Sequence, residues 1–128
     1  DAVILGPECT AWHNPKTLRA TMGAIFHLPV IEAPNFQQFL ADMKKSEAKI
    51  LLADQAGKIS YTYMEYTSKK ILLIGNETHG VSEACKKLAD DRVAIPRRGK
   101  GESLNAAIAA AILIAEISQK PHSVKAVN

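Results

Sequence analysis

The sequence contains little cysteine and no long apolar run. Cys9 and Cys85 are its two cysteines and stand far apart, which argues against a disulfide framework or a cysteine-rich zinc site. A reduced, cytoplasmic compartment is therefore expected. No apolar run reaches the roughly 18 residues of a membrane span, and no signal-peptide pattern occurs, so no membrane partner is expected.

Several catalytic and nucleotide-binding signatures are also missing. No G-x-G-x-x-G follows a predicted strand, and no G-x-x-x-x-G-K-[ST] occurs. Dinucleotide binding and nucleotide hydrolysis thereby lose their strongest sequence support. The histidines show no metal-ligand spacing, so we expect no metal. A hydrolase is a weak alternative, because no nucleophile-elbow motif supports a Ser–His–Asp triad.

The composition is that of an ordinary globular chain. The 128 residues are 47% apolar and 23% charged, which suits one domain with a real core. The net charge of +3 is compatible with a polyanionic partner, and equally with a solvated basic face. The chain begins almost inside a strand, so we expect residues 1–128 to form a single domain that is truncated at its N-terminus.

Apolar strands alternate with amphipathic helices along the whole chain. This order predicts an α/β fold with a mainly parallel sheet and helices on both of its faces. Residues 59–66 are compatible with a strand or a loop. Strands are predicted at residues 3–5, 28–31, 49–53, 70–74 and 92–95, and helices at 15–26, 35–45, 82–88 and 103–119.

The first of these helices carries apolar residues at helical spacing. Asn14 is a suitable N-cap, and the proline that follows it is tolerated in a first turn. The apolar residues are expected to lie on one face of this helix. They are Leu18, Met22, Ile25 and Phe26.

The loop after the strand at 70–74 is the first candidate ligand site. Gly75 and Gly80 bracket a turn that contains Glu77. Ligands in open α/β sheets bind at the carboxyl ends of strands, where this carboxylate could pair with a cation or orient a hydroxyl. A solvated glutamate in a surface turn is the alternative.

The loop before the last helix is the second candidate. Arg97, Arg98 and Lys100 precede the helix N-terminus, and together they could bind phosphate or an RNA backbone. A solvated basic loop is the alternative. Ser103 is expected to cap the helix, with Asn105 in its first turn. The helix is alanine-rich, which suits burial in the core or in a subunit interface.

At these two loops the chain resembles the SpoU (TrmH-type) branch of the SPOUT RNA methyltransferases. Its second motif resembles residues 74–80, Ile-Gly-Asn-Glu-Thr-His-Gly. Its third motif resembles Ile95-Pro96 and residues 102–109, Glu-Ser-Leu-Asn-Ala-Ala-Ile-Ala. Residues 6–7 and 14–30 are similar to the segment that follows the family's first motif. The resemblance covers nearly the whole chain, in the same order and spacing.

The resemblance implies an enzyme that transfers a methyl group from S-adenosylmethionine to a ribose 2′-hydroxyl of rRNA or tRNA. It also implies a C-terminal deep trefoil knot and a homodimer formed through the knot region. By position, the catalytic residues would be Glu77, Ser103 and Asn105. The cofactor-binding residues would be Ala53, Gly75, Asn76, Ile95, Leu104 and Asn105, and the RNA-binding residues would be Arg97, Arg98 and Lys100.

The family's first motif carries an asparagine and an arginine near the reacting hydroxyl, and it normally precedes the strand with which this chain begins. Arg19 is not assigned that role, because it lies in the block that resembles the following segment. A knotted module that binds S-adenosylmethionine or RNA without chemistry is therefore the alternative to an enzyme.

Overall fold

A computed structural model of the chain describes residues 1–64, 69–96 and 104–119. The chain divides into two compact units, an N-terminal unit (Asp1–Phe39) and a C-terminal unit (Leu40–Asn128). The strands are β1 (Val3–Leu5), β2 (Val30–Glu32), β3 (Lys49–Ala53), β4 (Ile59–Ser60), β5 (Lys70–Leu73) and β6 (Asp91–Ala94). The α-helices are α1 (Pro15–Ala20), α2 (Phe36–Lys45), α3 (Glu83–Lys86) and α4 (Ala106–Ser118), and short 3-10 helices cover Ala24–His27 and Tyr61–Tyr63.

All strand pairs of these sheets are parallel. In the N-terminal unit β1 pairs with β2, and in the C-terminal unit the strand order is β4-β6-β3-β5. The predicted α/β arrangement with parallel sheets is thus confirmed. Since parallel strands point the same way, the loops that follow β3, β5 and β6 leave the sheet at one edge.

The core of the C-terminal unit forms around its central strand. Ile50, Leu51 and Leu52 of β3 are at most 1% exposed, and such a continuous buried run is typical of a parallel strand covered on both faces. Leu51 lies in one cluster with Val93 of β6 and Leu113 of α4. This cluster packs α4 against the sheet beside the strand ends.

An ion pair between Lys44 and Asp90 lies at the opposite edge of the sheet, where β3 begins. The Asp90 carboxylate accepts a hydrogen bond from the Ile50 N–H at 2.8 Å and another from Lys44 Nζ at 2.7 Å. Burial raises the pKa of this carboxyl, but these hydrogen bonds and the Lys44 charge lower it more, and its pKa lies below the ordinary value. The pair therefore stabilises the start of β3.

The predicted helix over residues 15–26 is wrong in its second half. Residue Met22 has a positive φ of 51° and Gly23 one of 85°, and these left-handed residues end the helical path. A 3-10 helix over Ala24–His27 follows. As a result, Met22 (93% exposed) and Phe26 (73% exposed) do not continue one helical face with Leu18, contrary to what the spacing predicts.

Helix α4 is not buried in the core of the single chain. Leu113 is its buried residue, whereas Ile108 and Ile114 are each 54% exposed. One side of α4 therefore packs in the core through Leu113, but full burial of the helix in the core of the single chain is excluded. No helix in the described part of the chain is both long and apolar enough to cross a membrane.

Candidate functional site

A cavity of about 450 Å³ opens at the carboxyl ends of β3, β5 and β6. Its volume lies in the range of small-molecule sites, and its position is the one that open α/β sheets use for ligands. The lining residues come from three strand ends and from α4. They are Ala53, Asp54, Gln55, Ile74, Gly75, Asn76, Glu77, Gly80, Val93, Ile95, Leu104, Asn105, Ala106, Ala109 and Leu113.

The loop after β5 is closed by its own backbone. The Asn76 N–H donates to the Gly80 carbonyl at 3.0 Å, and the Gly80 N–H donates back at 2.8 Å. Inside the loop, Asn76 Oδ1 accepts hydrogen bonds from the N–H groups of Thr78 (2.7 Å) and His79 (3.3 Å). These bonds fix the short segment that carries Glu77.

Gly75 permits this close approach of the two sides of the loop. A Cβ atom at Gly75 would lie 2.8 Å from the carbonyl carbon of Gly80 and 3.0 Å from its Cα. Both neighbours are backbone atoms, which cannot move aside as a side chain can. The glycine is therefore required for the geometry of the loop and not merely for flexibility.

Asn105 caps helix α4. Its backbone is non-helical (φ −52°, ψ 136°), and its Oδ1 accepts hydrogen bonds from the N–H groups of Ala107 at 2.9 Å and Ile108 at 3.4 Å. The prediction that Ser103 is the cap is wrong, since the helix begins at Ala106. Two polar residues with high capping preference stand close together here, and the backbone selects the second.

The same side chain connects the two loops. Asn105 Nδ2 donates a hydrogen bond to Glu77 Oε1 at 3.0 Å. The cap leaves no freedom in the amide orientation, because Oδ1 must face the helix N–H groups and Nδ2 must then face away from them. The carboxylate at the cavity is thereby oriented by a side chain that is itself fixed to the helix.

The charged groups among the described lining residues are carboxylates. Glu77 lies at one side, and Asp54 directly follows β3. Asp54 Oδ1 accepts from the Ala56 N–H at 2.9 Å, and its Oδ2 lies 3.5 Å from the Arg92 guanidinium. A negative rim above an apolar wall suits an uncharged or cationic ligand with hydroxyl or amino donors, and it disfavours a polyphosphate.

The structure brings most of the predicted site residues to this cavity. Seven of them are among its lining residues: Ala53, Gly75, Asn76, Glu77, Ile95, Leu104 and Asn105. Ser103, Arg97, Arg98 and Lys100 lie outside the described residues.

Sequence reasoning missed Asp54 and the contribution of Ala109 from the second turn of α4. Asp54 could have been found from the sequence, because it directly follows a predicted strand and ligands in open α/β sheets bind at the carboxyl ends of strands. Among the residues that the structure describes, no group of histidine, cysteine or acidic side chains has the arrangement of a metal site.

The sequence model of the SpoU rRNA methylase family matches residues 1–115. Two curated proteins are each 34% identical to the chain. One is the 23S rRNA (guanosine(2553)-2′-O)-methyltransferase RlmP of Bacillus subtilis, aligned over 114 residues that make up 89% of this chain and 46% of that protein. The other is the 23S rRNA (uridine(2479)-2′-O)-methyltransferase of Streptomyces viridochromogenes, aligned over 119 residues, 89% of this chain and 42% of that protein.

Solved structures show the same similarity. The SpoU methyltransferase AviRb of Streptomyces viridochromogenes, in complex with the cofactor AdoMet, superimposes with a TM-score of 0.83 at 30% identity, over 91% of this chain and 46% of that one. A second solved structure is that of a protein from Porphyromonas gingivalis, assigned without proof of function as an RNA methyltransferase of the TrmH family. It superimposes with a TM-score of 0.84 at 31% identity, over 91% of this chain and 47% of that one. The chain thus spans less than half of each of these relatives.

Proposed function

Because the chain belongs to the SpoU rRNA methylase family, whose model matches residues 1–115, we propose that it carries the methyl-transfer site of an RNA 2′-O-methyltransferase. The substrate is a ribose 2′-hydroxyl of rRNA or tRNA, and the methyl donor is S-adenosylmethionine. The observation that carries the proposal is the hydrogen bond between Asn105 and Glu77 at the cavity. It joins the family's second and third motifs into one polar site at the strand ends.

The cavity fits the methyl donor in size and chemistry. Its apolar wall, which includes Ile95 and Leu104, suits an adenine ring, and its carboxylates suit ribose hydroxyls and positively charged groups. When bound, S-adenosylmethionine supplies a methyl group on a cationic sulfonium. The residues that would hold it are Ala53, Gly75, Asn76, Ile95, Leu104 and Asn105.

The polar residues would act on the ribose hydroxyl. Glu77, held by Asn105 and by the closed loop, presents a carboxylate oxygen that can accept a hydrogen bond and so orient the attacking oxygen. Ser103 would add a further hydroxyl at the same site. Arg97, Arg98 and Lys100 precede the cavity-lining Leu104 in the sequence, and we infer that their charges bind RNA phosphates.

We further propose that the protein is a homodimer in which α4 lies at the interface. Leu104, Ile108 and Ile114 are 36%, 54% and 54% exposed in the single chain, and a second copy would cover them. The family resemblance supports a trefoil knot, helices on both sheet faces and one methyltransferase domain over residues 1–128. The proposed rRNA or tRNA substrate supports a cytoplasmic location.

Two measurements on the full protein test the proposal. Calorimetric titration with S-adenosylmethionine should give one saturable site per chain, and transfer of labelled methyl groups to unmodified rRNA or tRNA should yield 2′-O-methylated nucleosides. Binding without transfer would support the non-catalytic module instead. Absence of binding would overturn the assignment of the cavity.

Ile114→Glu tests the dimer separately. The substitution places a charge on the exposed apolar face of α4 and should convert the dimer to a monomer in sedimentation equilibrium. If the mass of the variant equals that of wild type, α4 does not form the interface.

A further inference from the structure

The N-terminal unit separates its charges along the chain. Residues 9–31, between Glu8 and Glu32, contain no acidic residue but include Lys16 and Arg19. Both flanking glutamates line a second cavity of about 340 Å³, formed by the loop after β1 and the end of β2. The negative charge of this part of the unit is therefore at the strand ends, and the positive charge is on α1.

The two cations of α1 make no ion pair with any other described residue. Both side chains are exposed, and a separation of three residues makes them neighbours on one helix face, with Cβ atoms about 5–6 Å apart. In the C-terminal unit five cations are paired with carboxylates, whereas Lys58 and Lys87 are not paired with any described residue. The pairs there are Lys44 with Asp90, Lys45 with Asp42, Lys49 with Asp91, Lys86 with Glu83, and Arg92 with Asp54.

Large apolar side chains follow these charges directly. Met22 is 93% exposed and Phe26 is 73% exposed. Backbone hydrogen bonds fix the main chain at both positions, from Met22 N–H to the Arg19 carbonyl at 3.2 Å and from Phe26 N–H to the Gly23 carbonyl at 3.1 Å. We call Lys16, Arg19, Met22 and Phe26 together the α1 surface.

We propose that the α1 surface binds the RNA substrate outside the methyl-transfer site, with Lys16 and Arg19 on phosphates and an unstacked base against Phe26. This inference rests on the proposed function, since it presumes an RNA substrate. Unpaired cations and an exposed aromatic ring within one short segment are the combination by which proteins hold single-stranded RNA. The absence of acidic residues in the segment removes the repulsion that a polyanion would otherwise meet.

The test measures binding of a fluorescein-labelled oligouridine to the full protein by anisotropy at several potassium chloride concentrations. In the double variant Lys16→Gln, Arg19→Gln, the slope of log K against log salt should become less steep by about 1.4, which corresponds to two phosphate contacts on a single strand. Phe26→Ala should weaken binding roughly 5- to 150-fold at every salt concentration with the slope unchanged. Lys58→Gln, which removes an exposed lysine of the C-terminal unit, should behave as wild type.

Other results would overturn the inference. If the slope of log K against log salt is unchanged in the double variant and the affinity is unchanged in Phe26→Ala, RNA does not bind this surface. A change of mass in sedimentation equilibrium, without a change in RNA affinity, would instead assign it to a second copy of the chain. S-adenosylmethionine titration of the same variants should match wild type, so a failure here is distinguishable from failure of the methyl-transfer proposal.

Discussion

The side-chain amide of Asn105 donates a hydrogen bond to the carboxylate of Glu77 across 3.0 Å, while the oxygen of the same amide caps helix α4. One residue therefore starts a helix and orients an acidic group that lies 28 positions earlier. The two tasks use opposite ends of the amide, so substitutions can separate them.

Asn105→Ser should retain the cap but lose the contact with Glu77, because serine caps well and has no second donor in that direction. We expect the free energy of unfolding to stay near that of wild type, and methyl transfer to fall by roughly 100-fold. Urea unfolding and a methyl-transfer assay measure the two effects.

The comparison variant is Asn105→Ala, which loses both interactions. It should lose about 0.5–2 kcal/mol of stability in addition to the activity. Full methyl transfer in the serine variant would show that the contact with Glu77 does not matter for the reaction.

Much of the site could be predicted from sequence because its residues immediately follow strands. The predicted strand ends at Ala53, Ile74 and Ile95 are visible as apolar runs that stop at a polar residue, a glycine or a proline, and parallel strands bring such ends to one edge. The connection between Glu77 and Asn105 has no local signal, because it depends on where α4 begins.

The errors have local physical causes. Leu18, Met22 and Phe26 have helical spacing, but the left-handed backbone at Met22 and Gly23 redirects the chain before Phe26. Gly23 is a common signal for the end of a helix. The apolar spacing on both sides of it nevertheless predicts one continuous helix. At α4, the apolar sequence predicts the helix. It does not indicate which of two residues with high capping preference, Ser103 or Asn105, caps its N-terminus.

Glu77→Gln should weaken S-adenosylmethionine binding by on the order of tenfold, since the amide keeps the size and an acceptor oxygen but removes the charge that attracts a cationic ligand. Calorimetry measures the affinity. The matched control is Glu83→Gln on α3, an exposed glutamate paired with Lys86, which should bind as wild type. Equal losses in the two variants would indicate a general effect of net charge.

Gly75→Ala should distort the closed loop, because the added Cβ would lie 2.8 Å from the Gly80 backbone. We expect a loss of about 1–3 kcal/mol in the free energy of unfolding and weaker S-adenosylmethionine binding. Gly6→Ala is the control, since its Cβ would approach a ring atom of Phe36 at 3.3 Å, and a side chain can move aside. Wild-type binding by Gly75→Ala would mean that the loop geometry is not needed for the ligand.

Asp90 should make the stability of the C-terminal unit depend on pH. Its pKa in the folded protein lies below the ordinary value of 3.8. A carboxyl with a lowered pKa contributes stability above its unfolded pKa, and this contribution is lost as the pH falls through the folded pKa. Unfolding by urea at pH 7 and at pH 3 should therefore show a loss of stability at the lower pH.

Asp90→Asn isolates the contribution of this residue. It should destabilise the protein by about 1–2 kcal/mol at pH 7. It should also reduce the difference in the free energy of unfolding between pH 7 and pH 3, because the neutral amide has no proton to gain. The pKa of Glu83 is also lowered, by a hydrogen bond from Lys86, but this carboxylate is exposed, so Glu83→Gln should leave the difference nearly unchanged. An identical pH dependence in wild type and Asp90→Asn would show that the acid sensitivity arises from another group.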